Sequence, residues 1–170
     1  QKSYSLPKPD WLVVPREQRD LPGSVVRSIR LAVMKRVLLP EGFVKGRGGT
    51  YVRRVGDQIH LIDFQPYRWG HSYTVNLGFH YEFLKPFFAR KRIKLKDYHQ
   101  LDCMFDARIG DFSKHRHDTW IEYGASRQQL EKTFEENAAL CLKILAEHQK
   151  KWADPRRWLK AGDKATKLRR

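Results

Sequence analysis

The chain has 170 residues, with 34 Lys plus Arg against 19 Asp plus Glu, for a formal charge of +15. That length suits one ordinary domain, and 41% hydrophobic with 12% aromatic residues argues for a packed core over wholesale disorder. The longest unbroken apolar run is Ala138 to Leu142, too short for a helical membrane span, and Cys103 and Cys141 frame neither a disulfide scaffold nor a CxxC motif.

In chain order, residues 1–23 read as an irregular arm, because Pro7, Pro9, Pro15 and Pro22 interrupt every periodic pattern. Trp11 to Val14 form a short apolar patch within it, suited to packing on the body or docking a partner. Ser24 is positioned to cap a helix whose apolar residues Val26, Ile29, Val33 and Val37 recur at helical spacing, and Pro40 and Gly42 end it. Gly46, Gly48 and Gly49 lead into a strand, not a helix, so they suit loop geometry better than a phosphate cradle, and no GKS or GKT follows. Thr50–Val55, a Gly56-Asp57 turn and Gln58–Gln65 predict a β-hairpin.

His71–Phe83 carries the clearest alternation. Tyr73, Val75, Leu77, Phe79, Tyr81 and Phe83 share one face, and Ser72, Thr74, Asn76, Gly78, His80 and Glu82 the other. The expectation is an antiparallel strand with its polar face displaying Thr74, Asn76, His80 and also His60 as a binding platform. Cys103, Phe105, Ala107 and Ile109 repeat the pattern, and Trp120–Tyr123 suggests a further short strand. Ser126 and Gln129 form a capping box for a long helix with the stripe Leu130, Phe134, Ala138, Cys141, Leu145 and Trp152, stopped by Asp154-Pro155. The sum is an α+β domain over 24–153: an antiparallel sheet of about five strands, with an N-terminal and a long C-terminal helix packed on one face. Residues 154–170 make a basic tail.

The charge is not spread evenly. Residues 45–54 hold four basic side chains, 85–96 hold six, and neither window holds an acid. Residues 150–170 hold nine basic against two acidic, and the remainder of the chain nets −2. Such clustering is the electrostatic footprint of a polyanion partner.

The segments GFVKGRGGTYVRRVGDQIHLIDFQPYRWGHSYTVNLGF and DCMFDARIGDFSKHRHDTWIEYG resemble the bacterial domain-of-unknown-function 4304 family over roughly residues 25–150. The features that carry the resemblance are Gly42-Phe43, the strand ending in Gln65, Thr74–Gly78, Cys103 with Arg108–Gly110, and Trp120. The resemblance implies a compact bacterial α+β domain and carries no catalytic residues with it.

The connection Gln65–His71 joins two well-patterned strands and bears Tyr67, Arg68 and Trp69, residue types that anchor interfaces and stack on unpaired bases. A metal-dependent nuclease would need convergent carboxylates, for which Asp57, Asp63, Asp102, Asp106 and Asp111 are the available residues. His115-Arg116-His117-Asp118 lacks a companion zinc motif, and a core-facing Cys103 is a poor nucleophile. No metal site, cofactor or catalytic residue is assigned.

The leading expectation is a non-catalytic basic domain of a bacterial complex that engages nucleic-acid backbone or another polyanion. Its contacts would be Arg53 or Arg54, Tyr67, Arg68, Trp69, Lys85, Arg90, Lys91, Arg92, Lys94 and the tail. The alternative is an inhibitor or immunity-type protein masking an acidic protein surface, anchored by Trp11 and Trp69. A metal-dependent nuclease is the third. With no basic-then-apolar leader in view, no secretory signal is expected and the setting is read as the cytoplasm.

Overall fold

The computed structural model describes residues 21–67, 72–84, 93–112, 120–123, 126–151 and 153–154. Its elements are helix α1 (Gly23–Val37), strands β1 (Val44–Lys45), β2 (Thr50–Val55), β3 (Gln58–Pro66), β4 (Ser72–Tyr81), β5 (Phe105–Arg108) and β6 (Ile121–Glu122), and helix α2 (Arg127–Lys151). The strands form one antiparallel sheet in the order β1-β2-β3-β4-β5, with β6 paired to the start of β4. The predicted α+β class and both helices are therefore present.

The β2–β3 hairpin turns at Gly56, whose φ of +57° is strained for any residue with a Cβ, and Val55 pairs with Gln58 across it. Gly49 is required by close approach, since a Cβ there would stand 2.2 Å from the Phe64 carbonyl oxygen. At α1 the expected Ser24 cap is not used. The helix begins two residues earlier than that cap implies, at Gly23 after an extended Pro22, whose carbonyl accepts from the amides of Val25 and Val26. At α2 the cap holds: Gln129 N donates to Ser126 Oγ at 3.1 Å.

Both helices lie on one face of the sheet. Val26, Ile29, Val33 and Met34 of α1 and Leu130, Phe134, Ala138, Cys141, Ile144 and Leu145 of α2 pack on Tyr51, Ile62, Phe64, Tyr73, Val75 and Leu77. Arg36 of α1 pairs with Glu131 at 3.2 Å and with Glu135, tying the two helices together on the outside.

The second face departs from expectation. Thr74, Asn76 and His80 are not displayed to solvent but buried. Part of the cover comes from residues 93–103, where Ile93, Leu95, Tyr98 and Cys103 pack on Val52, Ile59 and Leu61 of the hairpin. Cys103 belongs to this cover and not to a strand: β5 spans only Phe105–Arg108, and Ile109 opens a 3-10 turn. His60 is also placed differently. It pairs with Phe79 in register, so it points with Phe79 to the helix face. Among the described residues no helix is long and apolar enough to cross a membrane.

Candidate functional site

One end of the sheet collects the β1–β2 loop, the end of β3, the start of β4 and β6, because antiparallel pairing sets Thr50 opposite Asp63 and Tyr73 opposite both Pro66 and Ile121. On the second face of that end, a polar chain crosses three strands. Thr50 Oγ1 donates to Asp63 Oδ1 at 3.1 Å, and Asn76 Nδ2 donates to Asp63 Oδ2 at 3.4 Å and to Gln65 Oε1 at 2.9 Å. Asn76 Oδ1 and Thr74 Oγ1, neighbours on the same face of β4, are buried without a hydrogen-bond partner among the described residues.

An aromatic–cation group flanks this chain. Arg108 of β5 sits directly opposite Asn76, and its guanidinium lies 5.6 Å from the centre of the Trp120 ring. Trp120 in turn meets Tyr67 edge to face at 4.8 Å. Tyr67 is 44% exposed and held at its backbone by donation of its amide to the Ser72 carbonyl. Gln65, at the end of β3, is also exposed.

Basic side chains gather beside the same end. The β1–β2 loop abuts the 3-10 turn Leu95–Asp97, so closely that a Cβ on Gly46 would stand 2.9 Å from the Lys96 carbonyl oxygen. Arg47 pairs with Asp97 at 3.6 Å across this contact. Arg47, Lys94 and Lys96 are exposed here, so parts of the first two basic windows meet in space, whereas Lys45, opposite Tyr51 in register, lies toward the helix face.

The sequence-named cations divide. Arg54 is half exposed and paired with Glu82 at 2.6 Å, so much of its charge is already compensated. Arg53 is turned inward and does not serve a surface. Its Nε donates to His60 Nδ1 at 3.2 Å, its Nη1 to the Glu41 carbonyl at 3.1 Å, and its guanidinium caps the Phe43 ring at 4.7 Å. Arg68, Trp69, Lys85, Arg90, Lys91, Arg92 and Trp11 lie outside the described residues.

At the opposite end of the sheet, a cavity of about 390 Å³ opens between the hairpin turn and the end of α2, lined by residues that include Val55, Gln58, Tyr81, Gln149 and Ala153. Behind it, His60 Nε2 donates to Gln58 Oε1 at 3.3 Å, continuing the chain from Arg53. Burial and the adjacent Arg53 charge push His60 down to about 3.

Of the carboxylates considered for metal binding, Asp63 sits in the polar chain and three others serve local geometry. Asp102 accepts from the His99 amide, Asp106 from Gln100, and Asp111 from the Arg108 amide. Among the described residues no three His, Cys, Asp or Glu side chains group as a metal site. Cys103 and Cys141 are buried, and burial pushes both thiols up to about 12.

Residues 34–147 match the family described as Domain of unknown function (DUF4304), a span well over half of the chain. The chain belongs to the DUF4304 family. The matched span runs from the last turn of α1 almost to the end of α2, so β1 to β6 all fall within it. Within this DUF4304 domain, the residues that carry the sequence resemblance around Gln65, Thr74–Gly78, Arg108 and Trp120 are brought together by the β3–β4–β5 register. Comparison with curated proteins and with solved structures returns no match.

Sequence reasoning misses the polar chain under Gln65. Its signal is four polar residues at alternate positions, Asp63 with Gln65 and Thr74 with Asn76, but only the pairing of β3 with β4 joins them.

Proposed function

We propose that this domain is a non-catalytic binding module that engages nucleic-acid backbone through the cations at the β1–β2 end of the sheet. The observation that carries this reading is the meeting of Arg47 with the Lys94–Lys96 segment across the Gly46–Lys96 contact. These side chains come from separate basic windows, and folding sums their fields at one place. Arg47 has 89% of its side chain exposed, so its ion pair with Asp97 is screened and leaves its charge open to a competing phosphate. The body of the chain outside the three basic windows nets −2, so the attraction is local and not a general property of the fold.

The test is a binding titration of the full chain against DNA and RNA oligomers at two salt concentrations, about 50 and 200 mM. Joint replacement of Arg47, Lys94 and Lys96 by Ala is expected to weaken binding to every sequence alike and to flatten the salt dependence. Unchanged affinity in that variant would remove this surface from the account. Backbone contact predicts little discrimination between sequences, since phosphate contacts position a ligand without reading it.

A further inference from the structure

We propose that Tyr67, Trp120 and the Gln65 amide form a seat for one unpaired nucleobase, so that the domain selects single strands over duplex. This rests on the nucleic-acid reading above, and it adds to phosphate contact a contact that only an unstacked base can make.

Three features converge on this seat. Tyr67 is exposed yet fixed: its ring leans edge-on against Trp120, and Arg108 braces Trp120 from β5. A braced, exposed aromatic ring is a stacking platform that takes any base, because every base has a π-face. A base held in a duplex keeps both faces inside the stack and cannot use it. Two residues before Tyr67 in the chain, Gln65 Oε1 accepts from Asn76 Nδ2 at 2.9 Å. That bond commits the oxygen of the Gln65 amide inward, which turns its NH2 group outward as a donor for a carbonyl or ring nitrogen of a base. Asn76 is itself set by Asp63, and Asp63 by Thr50, so the orientation of Gln65 is locked by a chain reaching back to β2. Asp63 and Asn76 are thus positioning residues, and Gln65 and Tyr67 make the contact.

Asn76 Oδ1 and Thr74 Oγ1, without a partner among the described residues, lie under the same strip. Buried polar atoms left unpaired are rare, and they concentrate where water or a ligand completes a network. The cation Arg47, on the β1–β2 loop at the same end of the sheet, supplies complementary charge for the phosphates of the strand that carries the base.

The experiment compares three labelled probes of equal length on the full chain: an oligothymidylate, its abasic counterpart, and a duplex. Oligothymidylate is expected to bind about ten-fold more tightly than either of the others. Tyr67→Ala is expected to erase that difference while keeping the affinity for the abasic strand, and Tyr67→Phe to restore it. Equal affinity for thymidylate and abasic strands, or tighter binding of the duplex, would overturn the base seat and leave the phosphate reading standing. Failure of all three probes to bind would overturn both.

Discussion

Arg53 Nε donates to His60 Nδ1 at 3.2 Å across the β2–β3 pair, and both side chains are buried against the helix layer. The bond fixes the imidazole as neutral, with its proton on Nε2 facing Gln58. A second proton would have to enter at the atom that Arg53 occupies, beside a guanidinium and within the field of His148 on α2. The arrangement explains why an arginine from a basic run contributes to the interior and not to the surface.

Acid should therefore loosen this fold. His60 titrates at about 3 when folded, below its ordinary value, so between about 6.5 and 3 the unfolded chain binds the proton more readily. Stability from this group is complete above the unfolded value and falls as pH drops, by up to about 1.4 kcal/mol per pH unit. His80 and His148 are also lowered by burial and act in the same direction. Urea melts at pH 7 and pH 5 should show the loss, and His60→Gln should show a shallower one. A variant with the same pH slope as the parent would contradict the assignment.

Gly78 on β4 lies under the 93–103 cover, where an added Cβ would stand 2.6 Å from Cys103 Sγ and 3.1 Å from Leu61 Cβ. Gly78→Ala is expected to cost about 1–3 kcal/mol from overpacking. Cys103→Ala removes the nearer of the two atoms, so the double variant should be less destabilised than the sum of the single changes. Strict additivity in a double-mutant cycle would show that the cover does not sit on Gly78.

Phe134 is the central aromatic of α2, with its ring centre 4.9 Å from Tyr73 and 5.9 Å from Phe64. Phe134→Ala should cost about 3–5 kcal/mol, read as a fall in the urea midpoint. A loss under about 1 kcal/mol would mean that α2 does not seal the core at this point.

Cys103 and Cys141 should resist thiol reagents in the native protein, because each is buried and titrates at about 12. Both should label promptly once the chain is unfolded in denaturant. Fast native labelling of Cys103 would show that the 93–103 cover opens on its own.

Local chemistry makes the hairpin, β4 and α2 readable from the sequence. A Gly-Asp turn between β-rich runs, strict alternation from Tyr73 to Tyr81, and the Leu130–Leu145 stripe each specify an element without long-range help. What lies over an element is a different matter. Alternation reports two faces of β4, but the apolar cover of the second face comes from Ile93, Leu95, Tyr98 and Cys103, a set that shares no single period. The face of His60 follows from its pairing with Phe79, and the approach of Lys96 to Gly46 from tertiary packing. Neither leaves a trace in local spacing. The aromatic content of the Gln65–His71 connection is visible in the sequence, whereas the bracing of Tyr67 by Trp120 requires the β4–β6 pairing.

The most direct test is the salt dependence of oligonucleotide binding by the parent chain and by the joint Arg47, Lys94 and Lys96 to Ala variant. Affinity should fall steeply with salt for the parent. In the variant the slope should shrink by up to about 0.7–0.9 for each phosphate that is no longer neutralised. Binding that is absent, or that is the same at both salt concentrations, would contradict the phosphate reading.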